Sequence, residues 1–177
     1  GGYNQYNQQI LKKDSDLYKF NPELTFLILD VRHVLNELFF FPYSISKSEK
    51  LEFIDQKVQE ILNLIKAINK NSESRLILTD LQIPTYSPYG INEQNEELGI
   101  KQIVSEINEK LRQKISENES VFILDFNEFV QKFGEYNVFN YKQFFSGDIK
   151  ISIDYIPKFI DEMIKYVVAI TGLTKKC

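Results

Sequence analysis

Three carboxylates, Asp30, Asp80 and Asp125, stand at or near the ends of short apolar runs, Leu24 to Leu29, Leu76 to Leu78 and Val121 to Leu124. One carboxylate per separate strand end has no ligand spacing of its own, so these three do not define a metal site. Asp30 and Arg32 are two residues apart. If strand geometry persists there, both point to one side and either pair as ions or leave the Arg32 fork for a phosphate or carboxylate. His33 follows at once and is the only histidine in the chain. It reads as a general base, a ligand contact, or a packed polar residue. Tyr86 and Ser87 lie in a loop with Pro84, Pro88 and Gly90, where they either line a pocket or anchor the loop.

The elements that must position these groups alternate. Thr25 to Leu29, Arg75 to Asp80 and Val121 to Asp125 are apolar enough for buried strands, and long helical patterns separate them. Strand, helix, strand order predicts a three-layer α/β/α fold with a mostly parallel sheet, and it gathers the acidic strand ends on one rim. Ser46 and Glu49 form a capping box for a helix to about Asn69, with Leu51, Ile54, Val58, Ile61, Leu62, Ile65 and Ile68 along one face. A second long helix is predicted over about Glu93 to Glu117, with the charges from Glu93 to Glu97 as its solvated first turn. Asn4 to Leu11 suits a short amphipathic helix. Lys13 to Asn21 is polar, and Leu35 to Phe41 is an apolar burst stopped by Pro42. Asn127 is a candidate cap for a short helix ending before Gly134. Asn137 to Lys150 is an aromatic-rich connection, and Ser152 or Asp154 is expected to start the last helix. The clusters Phe39-Phe40-Phe41 and Phe144-Phe145 suit core or interdomain contacts.

At 177 residues with 43% hydrophobic content, one packed domain is expected. The balance of 21 basic against 25 acidic residues leaves a net charge of -4 with both signs interspersed, which argues against nucleic acid as a partner. No apolar stretch approaches the roughly 20 residues of a membrane span, so a membrane partner is not expected and a cytoplasmic location is. A lone Cys177 agrees with a reducing compartment. Gly1-Gly2 without an initiator Met reads as a trimmed start. Lys175-Lys176-Cys177, after the helix stop at Thr171-Gly172, reads as the lead into a further segment.

Several stretches carry a resemblance. Gly2-Tyr3-Asn4-Gln5-Tyr6, Asp16-Leu17-Tyr18-Lys19-Phe20-Asn21-Pro22 and Leu27-Ile28-Leu29-Asp30-Val31-Arg32 resemble the amino-terminal domain of FkbH-like proteins. So do Pro42-Tyr43-Ser44, the loop Pro84-Thr85-Tyr86-Ser87-Pro88-Tyr89-Gly90, and Glu97-Leu98-Gly99. The resemblance implies an SGNH-hydrolase-like, flavodoxin-like domain over 1–177. A haloacid dehalogenase-like (HAD subfamily IIIC) catalytic domain would follow Cys177 and hold the Mg-binding aspartates. In that family a glyceryl-type unit is loaded onto an acyl-carrier protein in bacterial polyketide-type biosynthesis. This domain is then an accessory domain without cofactor, linked to the HAD domain, and the carrier protein is a further partner.

The SGNH side of the resemblance implies a Ser on the first strand, an oxyanion Gly, an Asn after the third strand, and an Asp-x-x-His pair before the last helix. Gly2 stands in the place of the oxyanion Gly, Arg32 replaces the Asn, and Ile151 occupies the position of the His after Asp148. The strand with its Ser would lie upstream of Gly1. A hydroxyl nucleophile without a base stays protonated near neutral pH, so no catalytic residue is assigned. The candidate rim is Gly2, Asn4, Asp30, Arg32, His33, Asp80, Tyr86, Ser87 and Asp125. The alternative is a divergent SGNH-type esterase or acyltransferase whose nucleophile lies upstream.

A first strand missing ahead of Thr25 to Leu29 leaves that strand with an open edge and unsatisfied backbone groups. Self-association through that edge, cover by the amino-terminal segment, or a local rearrangement is expected. Size-exclusion chromatography tests this: a clean monomer, together with free backbone groups along the strand, counts against it.

Overall fold

The computed structural model describes residues 6–147 and 150–172, with the side chains of Phe144 and Phe145 excepted. The chain divides into two compact units, Gly1–Ile123 and Leu124–Cys177. The fold is mixed α/β with a small parallel sheet of three strands.

The first unit begins with α1 (Tyr6–Leu11) and α2 (Asp16–Phe20). The polar stretch before Pro22 thus holds a helix, stopped by Asn21 in the left-handed region at φ 49°. The Tyr18 hydroxyl donates to the Ile10 carbonyl at 2.6 Å and ties the two helices together. β1 (Leu24–Leu27) pairs in parallel with β2 (Arg75–Thr79), Leu24 opposite Arg75 and Leu27 opposite Leu78. The strand order is β1-β2-β3, with β3 at Val121–Leu124. β2 is central, and its Leu76, Ile77 and Leu78 are fully buried, as a two-sided parallel strand requires. β1 lies at an edge. Leu24, Thr25 and Phe26 are only half-buried, so the strand is not covered on both sides as its composition suggested.

Between β1 and β2 the chain forms α3 (Val31–Leu35), α4 (Glu37–Phe40), a 3-10 turn at Pro42–Ser44, and α5 (Lys47–Asn71). The capping box of α5 is formed: Ser46 Oγ accepts from the Glu49 N–H, and the Glu49 carboxylate accepts from the Ser46 N–H at 2.7 Å. α6 (Ile100–Ile115) packs against α5. Its buried stripe of Ile100, Ile103, Val104, Ile107, Leu111 and Ile115 meets Ile54, Val58, Ile61, Ile65 and Ile68 of α5 in one core. The expected helix from Glu93 starts seven residues later, because Gly90–Asn95 forms a 3-10 turn.

In the second unit Asp125, not Asn127, caps α7 (Phe126–Phe133) by accepting from the Glu128 N–H at 2.7 Å. The aromatic-rich connection holds α8 (Glu135–Val138) and α9 (Tyr141–Gly147). α10 (Ile156–Thr171) begins after a 3-10 turn at Ile153–Tyr155, with proline in its first turn. The core of this unit is aromatic. Phe126 stacks on Phe129 with ring centroids 5.8 Å apart, and Phe159 lies 5.3 Å from each. Among the described residues, no helix is long and apolar enough to cross a membrane.

Asn108 lies on the buried stripe of α6, where the periodicity calls for an apolar residue. Its Oδ1 accepts from the Leu81 N–H at 2.8 Å, and its Nδ2 donates to the Leu81 carbonyl at 2.7 Å. Replacing it with Leu removes both of these buried hydrogen bonds to the Leu81 backbone, so Asn108→Leu should cost about 2–4 kcal/mol in urea unfolding. A loss below about 1 kcal/mol would contradict this account of the residue.

Candidate functional site

The carboxyl ends of β1 and β2 are built from short polar contacts. Asp30 is the N-cap of α3, and its Oδ1 accepts from the Arg32 N–H at 2.8 Å. The chain turns into a helix here, so Asp30 and Arg32 do not keep the strand geometry in which both would face one side. The His33 Nδ1 lies 3.8 Å from the same Asp30 oxygen. Asp80 is only 4% exposed and accepts from Arg112 Nη2 at 2.7 Å. The partner on α6 was invisible to spacing arguments, because 32 residues separate the pair. Thr79 Oγ1 accepts from the Leu29 N–H at 2.8 Å, which extends the contact between β1 and β2 beyond the ladder. Asp125 belongs to the second unit and serves there as a helix cap. Gly2 and Asn4 lie outside the described residues, as does Asp148. Among the described residues, no group of three or more His, Cys, Asp or Glu side chains is placed to hold a metal ion.

The proline loop is anchored through its serine. Ser87 donates to Glu93 and accepts from the Tyr89 N–H at 3.1 Å. Glu93 in turn accepts from the Lys101 N–H at 2.7 Å, inside the first turn of α6. Glu93 therefore caps α6 from outside the helix, where the N-cap itself is Gly99 with no side chain to offer. A Cβ on Gly99 would sit 2.6 Å from the Glu93 carboxylate, so any larger residue there would push this cap aside. The expectation of a solvated first turn at Glu93 gives way to this internal cap. Lys50, only 4% exposed, donates to the Tyr89 hydroxyl at 2.8 Å, and Tyr89 meets Tyr43 edge-on at 5.4 Å. Tyr86 is exposed. Of the Phe39 to Phe41 cluster, only Phe39 is buried in the core.

Beside His33 the first unit opens into a cleft of about 370 Å³ between α1, α3 and α5. Its polar lining is Tyr6, Asn7, His33, Lys57, Glu60 and Asn63. Leu11, Val34 and Leu64 supply the apolar part. Lys57 and Glu60 form an ion pair at 2.8 Å, and Glu60 also accepts from Gln56 at 2.9 Å. Burial first, then the negative charges of Asp30 and Glu60, push the Tyr6 phenol above its ordinary pKa. It is therefore a protonated donor at neutral pH and no nucleophile. Sequence reasoning placed His33 near a rim but missed the cleft, whose walls come from segments up to 58 residues apart, Tyr6 to Leu64.

The raised pKa has a sign that can be checked. The unfolded chain ionises Tyr6 near 10.0 while the folded state holds the proton longer, so stability from this group is intact below pH 10 and falls as pH rises above it. Difference titration of the phenolate absorbance between the native chain and Tyr6→Phe should show a midpoint above 10, and Glu60→Gln should lower it. A midpoint at or below 10 would contradict the geometry.

No curated protein matches the chain. A solved structure does, namely the N-terminal part of the protein BF1531 from Bacteroides fragilis, containing a phosphatase domain complexed with Mg. Identity is 20% and the TM-score 0.76, with 100% of this chain and 45% of that chain covered, so the chain spans less than half the length of this neighbour. The likeness establishes a shared fold. The family model described as FkbH, N-terminal domain, matches residues 1–168 of the 177, and the chain belongs to that family.

Proposed function

We propose that this chain is a non-catalytic accessory or recognition domain, SGNH-like in its three-layer arrangement, of an FkbH-like HAD-superfamily protein. The linked catalytic domain carries the Mg-dependent chemistry and loads a glyceryl-type unit onto an acyl-carrier protein. The family match over residues 1–168 carries this reading. The neighbour with a phosphatase domain and Mg supports the linked domain. The structural engagement of Asp30, Asp80 and Asp125 as caps and an ion-pair partner supports an accessory role. So does Ile151 in the position where an SGNH enzyme places its base.

One observation favours the second reading, a divergent esterase or acyltransferase. His33 has the Asp30 carboxylate 3.8 Å from its Nδ1, a longer-range version of the pairing that orients a histidine base, and it borders the cleft. The longer protein separates the two. With the HAD aspartates replaced, the accessory reading expects no remaining hydrolysis of a generic ester and no carrier loading. Removal of this domain should then raise the KM for the carrier by about tenfold or more, the equivalent of one modest contact patch. Ester hydrolysis that survives the aspartate replacements and disappears with His33→Ala would establish the second reading instead.

A further inference from the structure

We propose that the cleft between α1, α3 and α5 binds a small neutral ligand in which an aliphatic stretch is joined to amide or hydroxyl groups, such as the pantetheine arm of a carrier protein. The volume of about 370 Å³ is in the range of small-molecule sites. The choice of a neutral ligand follows from how the charges are already used. Lys57 is closed on Glu60, and its ammonium also stands 5.2 Å from the Phe53 ring centroid. Glu60 has both oxygens engaged, one by Lys57 and the other by Gln56. Asp30 caps α3 and faces His33. A charged ligand would compete with these partly sheltered pairs for partners that are already matched in charge.

Neutral groups remain. Asn63 engages its carbonyl with the Gln59 amide at 2.8 Å, which leaves its two amide protons as donors at the cleft wall. Asn7 adds a donor and an acceptor, and the Tyr6 phenol, protonated at neutral pH, adds a donor. The apolar side is equally defined: Val34 and Leu64 are buried at the floor, while Leu11 stands 61% exposed at the lip. An aliphatic segment laid across these three would cover Leu11, and amide groups at its ends would reach Asn63 and Asn7. The ligand class rests on the lining alone; its assignment to a carrier's arm rests on the accessory-domain reading.

The test uses the full 177-residue chain with pantetheine as the probe and inorganic phosphate as the anionic comparison, followed by amide chemical shifts. Saturable shifts confined to the cleft segments of α1, α3 and α5 are expected with pantetheine and none with phosphate. Asn63→Ala should weaken binding about fivefold, the loss of one neutral hydrogen bond, and Leu11→Ser should weaken it several-fold by removing apolar cover. Both positions are exposed, so unchanged circular dichroism confirms that the fold survives. Absence of saturable shifts, insensitivity to both substitutions, or displacement by phosphate would overturn the proposal. None of these outcomes touches the accessory-domain reading, which is decided by carrier loading in the longer protein.

Discussion

The buried carboxyl end of β2 is the constraint on which the first unit depends. A strand covered on both faces cannot hand its polar groups to water, and each one must find an internal partner. Thr79 takes the Leu29 N–H, Asp80 takes Arg112, and Leu81 exchanges two hydrogen bonds with Asn108. Two of these three partners come from α6, so the helix is fixed to the sheet by polar contacts as well as by its isoleucines. The position of α6 then sets where the preceding loop must end.

A carboxylate ties that loop to the helix it precedes. Glu93 joins Ser87 to the first turn of α6, and Gly99 leaves room for it. The residue before it, Leu98, adopts φ 58°, a left-handed conformation unusual for a branched side chain, and it is buried. Its N–H is engaged by Gln102 at 3.1 Å. Tight capping of α6 is thus obtained with backbone strain two residues ahead of the helix, offset by burial of the leucine.

Periodicity and capping chemistry made the main elements legible in the sequence. The Ser46–Glu49 box and the apolar spacing after it mark α5 to within two residues of its observed end at Asn71. Alternating strands and helices gave the parallel sheet. What stayed hidden was set by tertiary contacts. Glu93 looks like a helix residue by composition and becomes a cap only because Gly99 and Lys101 meet it in space. Asn108 reads as an interruption of a stripe until Leu81 is placed against it. Asp30 was legible as a strand end but not as a helix cap, since nothing in Val31-Arg32-His33 announces so short a helix. The cleft joins residues from three helices, and no local pattern predicts a concavity.

One wall of that cleft is α1, a six-residue helix far too short to persist by itself. It is kept in place by Ile10 in the core and by the Tyr18 hydroxyl, which also reaches the Ala67 carbonyl of α5 at 3.3 Å. The cavity therefore exists only while this amino-terminal turn stays docked. Whatever occupies the space shares a thermodynamic cycle with the docking of α1: occupancy suppresses its local opening, and loosening of the turn releases the occupant.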